Sequence, residues 1–147
     1  MITYKQGDLL TSGCDLICHQ VNLNGFMGGG IALQIATKYP KCEQAYSMIC
    51  EKVKNLGGQV FFFTSQNPKI ANCFSQNEDF TTNYDWLKKC AKEIYNTSKM
   101  LNYKTIGIPK NYGCGIARGN WSIVEKIFKD IFEKSDELEL QIWEYKE

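Results

Sequence analysis

Residues 15–40 read DLICHQVNLNGFMGGGIALQIATKYP, and no other stretch limits the fold as tightly. Leu16 to Cys18 is a short apolar run of the kind that forms a buried strand. His19, Gln20, Asn22 and Asn24 crowd its end, and Gly25, Gly28, Gly29 and Gly30 follow. From Ile31 the apolar spacing turns helical, with Leu33, Ile35 and Ala36 set among Gln34, Thr37 and Lys38. Pro40 disfavours helix in the residue before it, so this helix stops near Tyr39. Strand, glycine loop and helix in that order make a turn that can hold an anion. Glycine tolerates positive φ and has no Cβ, so several N–H groups can approach one ligand, and Gly29 is expected to need that freedom. The helix N-terminus adds partial positive charge at the same place. A tight turn without a ligand is the other reading of bare glycines.

The remaining chain alternates between strand and helix signals. Ile2 and Tyr4 alternate with Thr3 and Lys5 as a first strand, ended by Gly7-Asp8-Leu9-Leu10. Cys42 to Lys54 carries Ala45, Tyr46, Ile49, Cys50 and Val53 at helical spacing. Val60 to Thr64 and Ile70 to Phe74 are β-rich runs, and Ser75 to Thr82 is a polar loop. Tyr84 to Met100 and Trp121 to Phe132 are amphipathic helices. Thr105 to Ile108 is a strand, and Leu138, Leu140, Ile142 and Tyr145 alternate as a last one. This order predicts an α/β chain: a single-domain, three-layer α/β/α sandwich with a mixed central sheet over residues 1–147. Ligands of such sheets sit beyond the carboxyl ends of the strands, so the loops after Cys18 and Ile108 should wall one cleft.

Composition narrows the function. A chain of 147 residues with 44% hydrophobic residues can bury one substantial core. A net charge of +1 gives no basic stripe for nucleic acid. No run approaches a membrane span and MITYKQGD lacks a leader pattern, so the expected location is cytoplasmic, with no membrane partner. The seven cysteines have no CxxC or Cys/His ligand spacing, which predicts reduced thiols and no metal.

The loop after Ile108 reads Pro109-Lys110-Asn111-Tyr112-Gly113-Cys114-Gly115-Ile116-Ala117-Arg118-Gly119-Asn120, ahead of the Trp121 helix. Its small-residue centre can also present N–H groups to phosphate oxygens. Two converging loops of this kind suit a diphosphate.

HQVNLNGFMGGGIALQI resembles the first ligand loop of the macrodomain family, whose members bind ADP-ribose. Gly113-Cys114-Gly115-Ile116-Ala117 resembles the second, and the resemblance covers Gly7 to Pro40 and Ile106 to Phe132. The likeness is greatest to the subgroup holding ADP-ribose-1″-phosphate phosphatases, macro antitoxins that strip ADP-ribose from DNA, and the terminal ADP-ribose glycohydrolase. It implies ligand contacts from Asp8, which matches the residue that accepts from the adenine amino group, and from Leu9. It further implies contacts from Asn22, Asn24, Gly28, Gly29, Gly30 and Ile31, and from Tyr112, Gly113, Cys114, Gly115, Ile116 and Ala117. Trp143 or Tyr145 is placed to stack on adenine, or else belongs to the core.

Two departures bear on chemistry. Glycohydrolase relatives carry an acidic residue where this chain has Ala117. They also place a Lys in the loop that corresponds to Ser75-Gln76-Asn77-Glu78-Asp79, where there is none. Glu78 and Asp79 are solvated loop charges or, alternatively, a base. His19, the only histidine, is expected at the mouth of the cleft as a general acid or base, with Asn22 orienting the ribose or a water. The other reading of His19 is a strand-end side chain satisfied by the backbone. Cys114 is read as a spacer rather than a nucleophile. The expected function is ADP-ribose binding with hydrolysis at the distal ribose, either of ADP-ribose-1″-phosphate or of ADP-ribosylated protein or nucleic acid. A non-catalytic ADP-ribose reader is the alternative. No cofactor is expected, and the chain is expected to act as a monomer.

Overall fold

A computed structural model describes the chain over residues 1–146. Six strands form one sheet: β1 (Ile2–Gln6), β2 (Leu16–Val21), β3 (Val60–Phe63), β4 (Lys69–Phe74), β5 (Thr105–Pro109) and β6 (Glu139–Glu144). Their spatial order is β1-β6-β5-β2-β4-β3. Only the β3–β4 pair is antiparallel; β1–β6, β6–β5, β5–β2 and β2–β4 are all parallel. The carboxyl ends of β1, β2, β4, β5 and β6 therefore share one edge of the sheet. Helices α1 (Gly30–Lys38) and α2 (Pro40–Lys52) cover one face, and α3 (Tyr84–Met100) and α4 (Trp121–Phe132) cover the other. This is the expected mixed α/β/α sandwich. No helix among the described residues is long and apolar enough to cross a membrane.

Alternation along the strands divides the core in two. Leu16 and Cys18 of β2 pack with Leu87, Ile94, Phe128 and Phe132. Ile17 and Val21 pack with Ile35, Cys42 and Tyr46. Gly107 of β5 is required by packing. A Cβ there would lie 2.6 Å from Leu9 Cδ1, in the 3-10 turn Leu9–Thr11 that caps this part of the sheet.

Two boundaries differ from expectation. Pro40 opens α2 as well as ending α1, because its fixed φ and missing N–H suit a first helical turn. More consequential, β2 continues three residues beyond Cys18. His19, Gln20 and Val21 are held in the ladder opposite Asn72, Cys73 and Phe74 of β4. His19 and Gln20 are thus strand residues facing opposite sides of the sheet, not neighbours on a turn.

Candidate functional site

A cleft of about 730 Å³ opens at the carboxyl edge, within the usual size of small-molecule sites. Its floor comes from the ends of β1, β2, β5 and β6. One wall is the loop Asn22–Gly29 (loop 1) with the start of α1, and the other is the loop Lys110–Asn120 (loop 2).

Loop 1 is anchored to α2. Asn22 Oδ1 accepts from the Asn24 N–H at 2.9 Å and lies 2.6 Å from the Tyr46 hydroxyl. Asn22 Nδ2 donates to Phe26 O at 3.0 Å, and the Met27 N–H donates to Glu43 Oε2 at 2.9 Å. Ser47 Oγ donates to Gly25 O. Glycine 29 is the N-cap of α1 with φ −157°, an extended conformation open to any residue. The left-handed turn falls one residue later, on Gly30 at φ +57°. This corrects the expectation for Gly29, at which neither the backbone angle nor the packing of the free protein demands glycine. Its Cβ would lie 3.4 Å from Ile116 Cδ1, reaching across the cleft to loop 2. The N–H groups of Gly28 to Ile31 have no acceptor among the described residues, as helix geometry requires for a first turn.

Loop 2 mirrors this. Arg118 N–H donates to Gly115 O at 3.0 Å and Gly119 N–H to Gly113 O at 2.8 Å, while the N–H groups of Gly115, Ile116 and Ala117 find no acceptor among the described residues. Gly113 has φ +71°. Two tracts of free backbone donors thus line the two walls of one cleft, which come together where Gly29 meets the Ile116 side chain. At the other end of the cleft, Asp8 Oδ1 caps the Leu9–Thr11 turn through Leu10 N–H at 2.9 Å, which leaves Oδ2 without a donor among the described residues. Trp143 and Tyr145 flank that end.

The Macro domain family profile matches residues 18–128, a span that contains both loops. The chain belongs to the Macro domain family. Among relatives, an ADP-ribose 1″-phosphate phosphatase of Saccharomyces cerevisiae is 34% identical over 113 residues, covering 74% of this chain and 59% of that protein. A DNA ADP-ribosyl glycohydrolase of Mycobacterium tuberculosis is 26% identical over 148 residues, covering 97% of this chain and 42% of that protein. This macrodomain therefore spans less than two thirds of either relative. The solved macrodomain of Mycobacterium tuberculosis DarG superposes with a TM-score of 0.88 at 26% identity, over 97% of both chains.

Most of the expected ligand residues border the macrodomain's cleft: Asp8, Leu9, Asn22, Gly28 to Ile31, Tyr112, Gly113, Gly115, Ile116, Ala117 and Trp143. Three expected residues do not. His19 is fully buried on the α1–α2 face, with Nε2 2.7 Å from Asn72 Oδ1. Asn72 Nδ2 donates to Phe61 O, so Asn72 Oδ1 is the acceptor and His19 Nε2 carries the proton. His19 Nδ1 has no partner among the described residues, and burial lowers the imidazole pKa to about 4. Side-chain alternation along β2 points this ring away from the cleft, and the acid–base role expected of it is corrected accordingly. Asn24 is exposed outside the cleft and contributes its N–H to Asn22. Cys114 donates to Tyr112 O at 3.3 Å, and burial pushes its thiol up, the opposite of an activated nucleophile. Tyr112 borders the cleft but is almost wholly buried, its hydroxyl 3.0 Å from Ser75 Oγ.

Sequence reasoning missed Gln20, Gln76, Phe80 and Lys110 on the cleft wall. Gln20 was readable in principle, since it shares the alternation of Leu16 and Cys18 at a carboxyl end. Phe80 has φ +71° and Lys110 pairs with Glu144 at 3.4 Å, and neither carries a local signal.

Proposed function

We propose that this macrodomain binds ADP-ribose in the cleft and hydrolyses an ADP-ribose derivative at the distal ribose, with ADP-ribose-1″-phosphate the foremost substrate. The observation that carries the reading is the pair of free-donor tracts, Gly28–Ile31 and Gly115–Ala117, which line the two walls of one cleft and offer partial positive charge to two linked phosphates. Asp8 Oδ2 takes the adenine amino group, and Trp143 borders the same end. The names of the phosphatase and glycohydrolase relatives support hydrolysis. The titratable side chains bordering the cleft are Asp8, Lys110, Tyr112 and Tyr145. With His19 buried, hydrolysis rests on orienting water and ribose through the second N–H of the Asn22 and Gln76 amides rather than on an imidazole base. That same scarcity of acid–base groups favours the second reading, a non-catalytic ADP-ribose reader.

Incubation with ADP-ribose-1″-phosphate, and separately with ADP-ribosylated protein and DNA, decides between the readings. Phosphate release is expected, and binding without turnover of any substrate makes the protein a reader. ADP-ribose should raise the melting temperature by mass action. No shift at millimolar ADP-ribose, together with no heat by calorimetry, removes the ligand assignment. Asp8→Asn keeps an oxygen to cap Leu10 but turns an N–H donor, in place of an acceptor, toward the adenine amino group. ADP-ribose affinity should fall by about 1–3 kcal/mol with the melting temperature of the free protein nearly unchanged. Wild-type affinity in this variant reduces Asp8 to a turn residue.

A further inference from the structure

Loop 2 owes its shape to a residue that does not border the cleft. Thr82, in the connection between β4 and α3, makes two hydrogen bonds to loop 2. Its Oγ1 donates to Gly113 O at 2.6 Å, and its backbone N–H donates to Ala117 O at 2.9 Å. These carbonyls bracket the three residues whose N–H groups are free. Both carbonyls are thus turned toward Thr82, while the residues that carry the free N–H groups line the cleft. Thr82 is itself held from β2. Gln20 Nε2 lies 3.3 Å from Thr82 Oγ1 and also donates to Ser75 Oγ at 3.0 Å. Gln20 Oε1 accepts from Gln76 Nε2 at 2.9 Å. With its proton given to Gly113 O, Thr82 Oγ1 is the acceptor for Gln20, so the direction of every bond is fixed.

Packing at Gly113 supports the same arrangement. A Cβ there would lie 2.9 Å from Thr82 Oγ1 and 3.1 Å from Gln20 Nε2. A glycine is needed for φ +71° and also to let the hydroxyl close on the loop. The clamp thus joins β2, β4 and the segment before α3 to a loop that follows β5.

We propose that Thr82 is a positioning residue for the diphosphate: its hydroxyl, braced by Gln20, fixes loop 2 with the Gly115–Ala117 N–H groups presented to the ligand. The proposal rests on the ADP-ribose reading for its ligand, but the clamp itself is a property of the free protein.

Thr82→Val keeps the shape and the backbone N–H but removes the hydroxyl, and Thr82→Ser restores it. Thr82→Ala serves the same comparison if the valine distorts the loop. In the free protein, Thr82→Val should speed hydrogen exchange of the Arg118 and Gly119 amides, whose acceptors lie in the clamped segment. Its ADP-ribose affinity should fall about tenfold, the equivalent of losing one hydrogen bond that orders charged-group contacts. With ADP-ribose-1″-phosphate as substrate the loss should appear in KM with kcat nearly kept, because the diphosphate is held alike in ground and transition states. Thr82→Ser should return exchange and affinity to within about threefold of wild type. Unchanged exchange or unchanged affinity in Thr82→Val overturns the proposal, and so does a Thr82→Ser variant no better than Val. Failure of the wild type to bind ADP-ribose overturns the ligand reading instead, and amide exchange then still decides whether the clamp exists.

Discussion

Lowering the pH from neutrality to 4 will destabilise the folded protein by about 3 kcal/mol through His19 alone, since burial holds this imidazole at about 4 against an ordinary 6.5. The unfolded chain takes up a proton near pH 6.5, whereas the folded chain refuses it until about 4. Stability from this group is therefore complete above pH 6.5, declines as the pH falls through the window and reaches its full loss below about 4. Protonation is opposed because Nδ1 has no partner among the described residues, so a charged ring would bury both a charge and an unpaired N–H. Asn72, the hydrogen-bond partner of the ring, and Cys42, which touches Asn72, bring no anion. His19→Gln supplies a donor for Asn72 Oδ1 without a titrating ring. Denaturant unfolding at pH 4.5, 5.5 and 7 should show a steeper slope in the wild type than in this variant. ADP-ribose affinity of His19→Gln at neutral pH should stay within a few-fold of wild type, since the ring lies outside the cleft. A large loss of affinity with an unchanged pH slope would return His19 to the site.

The two ligand loops were legible in the sequence because their chemistry demands a residue type. Exposed N–H groups at close range require glycine or small residues, and Gly28 to Gly30 and Gly113 to Gly115 state that directly. The order of strands and helices was legible from period alone. His19 was misplaced for a reason local sequence cannot overcome. The run Leu16 to Cys18 ends in apolarity but not in hydrogen bonding, because β4 supplies partners for three more residues, 53 positions away in the case of His19 and Asn72. Once the strand is extended, alternation sends His19 to one face and Gln20 to the other. The same limit hides the clamp. Thr82 lies 31 residues from Gly113 and 62 from Gln20, and its segment reads only as a polar loop. Gly29 shows a smaller version of the problem: its glycine was legible, but its extended backbone and its nearness to Ile116 across the cleft were not.

Gly29→Val should lower ADP-ribose affinity by on the order of 10²-fold, because it removes access to one or two N–H donors that would each contribute about 1.5–3 kcal/mol toward a charged acceptor. The backbone at φ −157° accepts valine without strain, so the free protein should lose little stability. The effect is steric and lies between the loops. A Cβ already comes to 3.4 Å from Ile116 Cδ1, and the two methyl groups of valine must occupy either the space of that side chain or the approach to the N–H groups. Ile116 is 81% exposed and has room to move, which makes Ile116→Ala the informative companion. If valine only collides with Ile116, the double variant Gly29→Val/Ile116→Ala should regain wild-type affinity. If valine blocks the donors themselves, the double variant should bind as weakly as Gly29→Val alone. Gly30→Val differs in kind, since φ +57° is strained for a branched residue, and it should lower the melting temperature as well as affinity. Wild-type affinity in Gly29→Val would move the diphosphate off loop 1, whereas a loss in both single variants with a stability loss confined to Gly30→Val holds it at loop 1.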